Sequence, residues 1–147
     1  AGDEVFFVTS GHGSGDGNGN FYLCMYDCSG SAGSYYDYEL QSDFSGFATG
    51  VNIMVFVDHC YSGGLGPELL ASHDTIYITT TCTEDGYGYD EPTYQNGAWT
   101  YEYLQKYWVG NPTASAESIY DQASASYPHS GGDACMEFDG FPGSFYA

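Results

Sequence analysis

A histidine and a cysteine each stand just past the end of a short apolar run, and glycine-rich chain follows both. His12 comes after the run at residues 5–9, and Cys60 comes after the run at residues 53–57. Histidine is the commonest general base among side chains, and cysteine is a strong nucleophile once its proton is removed. If the two runs are neighbouring strands, the pair has the residue types needed for acyl transfer through a thioester.

The elements that would position this pair are predicted from the hydrophobic pattern. Continuous β-branched and aromatic runs bounded by glycine are typical of strands buried on both faces, as in a parallel sheet. In open α/β sheets, functional groups collect where the strands end at their carboxyl edge. Strands are predicted at 5–9, 21–26, 52–58, 75–81 and 135–138, helices at 98–108 and 115–127, short helical segments at 40–47 and 65–70, and loops at 10–20, 28–38 and 83–97. This alternation predicts an α/β fold with a mainly parallel sheet.

Glycines beside both residues favour the catalytic interpretation. They allow close approach of backbone, so the amides of Cys60 and Gly13 are candidates for an oxyanion hole next to the sulfur. Taken singly, a cysteine such as Cys60 is more often a disulfide partner or a buried thiol than a nucleophile, and a histidine such as His12 is more often a loop residue than a base. The placement of both residues at strand ends, with glycines beside them, is what favours a catalytic role.

Composition and charge narrow the classes of partner. The 147 residues suit one domain, 1–147, and carry 20 acidic side chains against a single basic one, Lys106, for a net charge of −19. Nucleic acid is excluded as a partner because phosphates would be repelled. No apolar run approaches the length of a membrane span. The acidity suits a secreted protein, a cation-binding surface or the attraction of basic substrates.

Cysteine usage and the first residues indicate an extracellular or cell-surface protein. The chain opens on Ala-Gly-Asp-Glu, which is typical of a mature or cut end, and it holds five cysteines. With Cys60 free, three disulfide pairings remain open among the other four, and the sequence does not choose between them: Cys24, Cys28, Cys82 and Cys135.

One loop has the oxygen-rich spacing of a calcium site. The side chains are those of Asp16, Asn18, Asn20 and Asp27. The segment departs from an EF-hand, because Phe21 stands where that motif needs glycine and no helices flank it. Calcium is a candidate ligand of this loop. The acidic segment 84–91 is a second cation candidate, for which a solvated loop is the favoured alternative. His59, His73 and His129 show no ligand spacing with one another.

The segments around His12 and Cys60 resemble the motifs of a known protein family. Residues 10–13 (Ser-Gly-His-Gly) and 58–64 (Asp-His-Cys-Tyr-Ser-Gly-Gly) resemble the two catalytic motifs of the caspase-like cysteine peptidases, a clan that includes metacaspases, legumains and prokaryotic relatives. Segments 79–84, 96–101 and 138–143 continue the resemblance, so it covers nearly the whole chain. It implies a three-layer caspase-like α/β fold.

The resemblance also implies roles for particular residues. Cys60 would be the nucleophile, His12 the base and acid of a dyad, and the amides of Gly13 and Cys60 the oxyanion hole. Asp58 stands two before the cysteine, where an aspartate in metacaspases lines the substrate pocket and favours Arg or Lys. The alternative is that Asp58 only caps a turn. No cofactor is required, although some metacaspases are activated by calcium.

The chain departs from the family at its start. Members of the clan carry further sheet strands before the histidine strand, whereas only residues 1–4 precede it here. We therefore expect the amino-terminal strands to be missing from this chain and the first strand to lie on an open edge, which proteins normally cover. The expected partners are a peptide or protein substrate, together with the remaining amino-terminal portion, another chain or further copies of this one.

Two functions follow as expectations. The first is a secreted cysteine endopeptidase that hydrolyses peptide bonds through the His12 and Cys60 dyad, with cleavage after Arg or Lys. The alternative is a structural or filament-forming extracellular protein that keeps a caspase-like fold without catalysis, which the 16 tyrosines, 21 glycines and incomplete sheet favour. A calcium-binding module is the third and weakest interpretation.

Overall fold

The computed structural model describes residues 2–26 and 33–146. Its centre is a four-stranded sheet with the strand order β1 (Glu4–Gly11), β5 (Asn52–His59), β6 (Ile76–Thr80) and β9 (Met136–Asp139). β1, β5 and β6 run parallel, and β9 pairs antiparallel with β6.

The remaining elements lie around this sheet. Two small antiparallel sheets consist of β2 (Gly13–Gly15), β3 (Phe21–Cys24) and β4 (Ser34–Tyr36), and of β7 (Asp90–Glu91) with β8 (Asn96–Gly97). The helices are α1 (Asp37–Phe44), α2 (Gly66–Leu70), a π-helix that we call π1 (Thr100–Trp108), and α3 (Ala116–Ser126). Two 3-10 turns lie at Ser62–Leu65 and Gly131–Asp133.

Two apolar cores, one on each face of the sheet, make the fold three-layered. In β5, alternate side chains point to opposite faces. Ile53, Val55 and Val57 pack with the apolar residues of α1 and α2, whereas Met54 and Phe56 pack with those of π1 and α3. All five are at most 1% exposed. The predicted α/β fold with a mainly parallel sheet is therefore confirmed.

The differences from the sequence-based prediction lie in glycine-rich or short segments. β2 and β4 occur inside stretches predicted as loops, because they form by backbone pairing with β3 and have no apolar periodicity of their own. β7 and β8 likewise form a small hairpin within the predicted loop at 83–97. α1 begins earlier than predicted, since the Glu39 carboxylate accepts a hydrogen bond from the Tyr36 amide at 2.9 Å and caps the first turn.

β1 is an edge strand among the described residues. β5 borders one side of it, and two of its apolar side chains are largely exposed, Phe6 at 45% and Val8 at 54%. Phe6 makes edge-to-face contacts with Trp108 and Phe145, which belong to the core on the side of π1 and α3. No helix in the described part of the chain is long and apolar enough to cross a membrane.

The contrast between the centre and the edge of the sheet gives a matched test. Val55 in β5 is 0% exposed and Val8 in β1 is 54% exposed. We expect Val55→Ala to lower the free energy of unfolding by about 2–3 kcal/mol, because buried methyl groups are removed and a cavity remains. Val8→Ala should cost less than about 1 kcal/mol. Urea denaturation checks both values, and equal losses would contradict this account of the core.

Candidate active site

His12 and Cys60 leave the sheet side by side. In the parallel ladder between β1 and β5, Gly11 stands opposite His59, so the next residue of each strand emerges at the same carboxyl edge. Both side chains line one cavity of about 170 Å³. The full lining is Gly11, His12, Asp58, Cys60, Gly88, Tyr89 and Asp90. The structure thus brings together the two residues that the sequence proposed as base and nucleophile.

Cys60 lies on a sharp turn between β5 and the following 3-10 helix. The next residue, Tyr61, has a φ of 60°, a left-handed conformation that costs a non-glycine residue on the order of 1 kcal/mol. The Tyr61 amide donates to the carbonyl of Gly86 at 2.8 Å, which holds the turn. The Cys60 thiol is half-buried and lies 3.7 Å from the carbonyl oxygen of Gly88, to which it donates.

Gly13 packs directly against the backbone of Cys60. A Cβ at position 13 would collide with the Cys60 carbonyl oxygen and lie 3.1 Å from the Cβ of His59. Only glycine therefore permits this approach. The two residues whose amides are expected to form the oxyanion hole are in contact through their chain segments, and the oxyanion role itself stays a prediction.

His59 holds the loop that carries His12, a role that the sequence did not reveal. The side chain is 3% exposed. Its Nδ1 donates to the carbonyl oxygen of His12 at 2.7 Å, so its Nε2 accepts from the hydroxyl of Thr9 at 2.8 Å. This assignment makes the ring neutral. Burial lowers the pKa of His59, in agreement with a neutral imidazole.

Asp58 is buried and lines the same cavity as Cys60. One of its carboxylate oxygens, Oδ2, accepts from the amide of Thr100 at 2.8 Å and from the Thr100 hydroxyl at 2.6 Å. A Cβ at Gly97 would collide with that oxygen. Burial raises the pKa of Asp58, and the hydrogen bonds from Thr100 and Thr81 oppose the shift. Asp58 therefore anchors the start of π1 and also contributes a carboxylate to the cavity.

The wall opposite the dyad is a glycine and tyrosine segment, 86–90, held by a distant aspartate. Asp133 accepts from the Tyr87 amide at 2.7 Å and from the Tyr89 hydroxyl at 3.0 Å. The Tyr89 ring stacks on His129 with centroids 4.5 Å apart. No local motif points to Asp133, since it lies more than 40 residues along the chain from its partners.

The proposed calcium loop is closed by its own hydrogen bonds. Asp16 accepts from the amide of Asn18 at 2.7 Å and from the side-chain amide of Asn20 at 2.6 Å. These bonds hold the pKa of Asp16 below its usual value. Asp27 lies outside the described residues. Within the residues that the structure describes, no group of three or more His, Cys, Asp or Glu side chains is arranged to hold a metal. Calcium binding at this loop stays a prediction.

Two further cysteines differ from Cys60 in their surroundings. Cys82 is fully buried, donates to the carbonyl of His59 at 3.4 Å, and lies 3.5 Å from the Ser62 hydroxyl. Burial raises the pKa of Cys82 and raises that of Cys135 to about 11, so both thiols are poor nucleophiles. Both are thiols in the structure. Cys28 lies outside the described residues, and the disulfide pairing stays a prediction.

Comparison with known proteins supports the fold. No family model matches the chain, and no curated protein does. Among solved structures, the chain is similar to protein GSU0716 from Geobacter sulfurreducens, with a TM-score of 0.67 and 19% sequence identity. The match covers 99% of this chain and 67% of that one. The three-layer α/β architecture described here therefore recurs in that protein over almost the whole of this chain.

The neutral His59 ring has a consequence for pH dependence. Its pKa is below the ordinary 6.5 in the folded protein, so the unfolded state binds the extra proton first as pH falls. The free energy of unfolding should fall below pH 6.5, with a slope of up to about 1.4 kcal/mol per pH unit from this group. His59→Asn, which keeps a donor but does not titrate, should reduce that slope in urea denaturation between pH 7.5 and 5.

His73→Asn is the matched control, because His73 contacts Ala48 and Thr75 and does not line the cavity. This variant should keep the part of the pH-dependent slope in the free energy of unfolding that comes from His59. An unchanged slope in His59→Asn would show that this ring does not resist protonation in the folded protein.

Proposed function

We propose that this chain is the catalytic portion of a caspase-like cysteine endopeptidase. The observation that carries the proposal is the placement of His12 and Cys60 at the ends of adjacent parallel strands, lining one cavity with the buried carboxylate of Asp58. Nucleophile, base and a charged pocket are the minimum set for selective peptide cleavage.

The proposed reaction has two halves. His12 takes the thiol proton of Cys60, and the sulfur attacks the carbonyl carbon of the peptide. The amides of Gly13 and Cys60 donate to the oxyanion. The C–N bond then breaks as His12 returns the proton to the leaving amine, which leaves a thioester. In the second half, water gives a proton to His12 and attacks the thioester carbon. The C–S bond then breaks, which releases the carboxylic acid, and His12 returns the proton to the sulfur of Cys60.

The cavity favours a cationic side chain before the scissile bond. Asp58 and Asp90 both line it, and neither forms an ion pair among the described residues. Lys106 is the chain's single Lys or Arg residue, and it pairs with Glu102 at 2.7 Å. An arginine or lysine of the substrate would supply the missing positive charge and would lower the cost of ionising the buried Asp58 carboxyl.

The open edge of β1 supports the proposed partner. Exposed Phe6 and Val8, together with the outer backbone groups of β1, suit the addition of another strand. We assign this strand to the remaining amino-terminal portion or to another chain. The same edge favours the second candidate function, an extracellular assembly protein built on this fold. In the peptidase proposal the protein is secreted and needs no cofactor, and calcium at the Asp16 loop would be regulatory.

The nucleophile is tested by covalent labelling. A peptidyl electrophile that ends in arginine should add one molecule per chain at Cys60, because this thiol is accessible from the cavity, as intact-protein and peptide mass spectrometry would show. Cys60→Ala should abolish the labelling and lower peptide turnover by at least about a thousandfold.

Cys82→Ala is the control for this experiment. Cys82 is a buried thiol with a raised pKa, so its removal should leave the labelling in place. Labelling that survives in Cys60→Ala would contradict the assignment of the nucleophile.

The role of Asp58 is tested by a charge change that keeps its shape. Asp58→Asn retains an oxygen that accepts from Thr100 but removes the charge from the cavity. We expect kcat/KM for peptides with arginine before the scissile bond to fall about 10- to 100-fold relative to peptides with glutamine there. Thr100→Val removes one hydrogen bond to Asp58 and leaves its charge, so it should keep the arginine preference. An unchanged ratio in Asp58→Asn would exclude this pocket as the source of selectivity.

A further inference from the structure

A second cavity is lined by residues that follow His12 and Cys60 in the chain. Its volume is about 320 Å³, and it shares no lining residue with the cavity that holds Cys60. Tyr61, directly after Cys60, forms one wall, and Ser14 and Gly15, which follow His12 in β2, form another. The chain neighbours of both proposed catalytic residues thus line this second space.

The cavity has a rigid aromatic lining. The Tyr61 ring contacts the Tyr87 ring with centroids 5.4 Å apart, and the two hydroxyls are 3.2 Å apart. Phe21 also lines the cavity, and its amide donates to Asp37 at 2.8 Å. Two aromatic rings with restrained backbones suit the aliphatic stem and the cationic head of a long basic side chain.

The remaining lining is acidic. Glu84 and Asp85 line the cavity, and neither has an ion-pair partner among the residues that the structure describes. Gly17 and Gly19 also line the cavity, and a Cβ at either would meet nothing within 4 Å. The cavity is therefore open to solvent at these glycines and negatively charged at Glu84 and Asp85.

We infer that this second cavity binds a lysine or arginine side chain on the leaving side of the scissile bond. The inference rests on the proposed peptidase function. In the proposed reaction His12 gives its proton to the leaving amine, and Ser14 and Gly15, two and three residues after His12, line this cavity. The cavity therefore lies near the group that protonates the leaving amine, and the first substrate residue beyond the cleaved bond is the one within its reach. The substrate class is thus a peptide with basic residues on both sides of the cleaved bond.

The test compares peptides that differ only after the cleaved bond. Internally quenched peptides would carry arginine before this bond and lysine, norleucine or glutamate directly after it. Norleucine has the aliphatic stem without the charge. We expect kcat/KM for lysine to exceed that for norleucine by about three- to tenfold at low ionic strength, with glutamate lowest, since two exposed carboxylates act on the cation. The preference should shrink in 1 M salt.

Charge variants locate the effect. The double change Glu84→Gln with Asp85→Asn should bring the lysine to norleucine ratio to about one. The double change Asp74→Asn with Asp121→Asn removes the same charge from exposed positions that do not line the cavity, and it should keep the ratio of the native protein. A ratio that stays high in the first double variant, or is already about one in the native protein, would overturn the inference.

A fourth substrate separates this inference from the proposal beneath it. A peptide that ends in arginine linked to a small fluorogenic amine has no residue beyond the cleaved bond, so its turnover reports the dyad and the first cavity alone. Turnover of this substrate without any lysine preference in the longer peptides would refute the second subsite and leave the peptidase in place. If no substrate is turned over even with a further strand bound at the β1 edge, both the second subsite and the proposed peptidase function are refuted.

Discussion

The parallel pairing of β1 with β5 is the constraint on which the site depends. Parallel strands end at the same edge of a sheet, and the register that sets Gly11 opposite His59 places the next residues beside each other. A slip of one position would send the side chains of one strand to the opposite face. The continuous burial of β5 in two cores prevents such a slip, because each face of that strand is matched to its own layer of helices.

The polar contacts around the site fasten loops that the sheet alone would leave free. His59 joins β1 to the loop after it, and Asp58 joins β5 to the start of π1. Asp133 holds the segment 86–90, which lies beside Cys60, by accepting from the Tyr87 amide. Each of these groups accepts or donates to backbone atoms of a separate segment. The site is therefore assembled from several stretches of chain, and its shape depends on the hydrogen bonds that join them.

The elements that the sequence predicted well are those with an apolar signal. β5 and β6 could be placed within a residue or two because their runs are continuous, and α3 because Ile119 and Ala123 repeat at helical spacing. β2 could not be placed, since Gly-Ser-Gly carries no pattern and pairs only through its backbone. His12, Cys60 and Asp58 were found from local motifs. His59 and Asp133 bind partners that are remote in the chain, and no pattern in the residues around them in the sequence predicts these contacts.

The two members of the proposed dyad follow strands that differ in how many neighbours they have. Cys60 follows a strand with a neighbour on each side, whereas His12 follows a strand with one neighbour among the described residues. A strand bonded on one side fluctuates more, so the histidine sets the limit on how precisely sulfur and imidazole are aligned. Whatever occupies the far side of β1 would damp that motion. Occupancy at the sheet edge and reactivity at the cysteine would then rise and fall together, and the chain on its own would be latent.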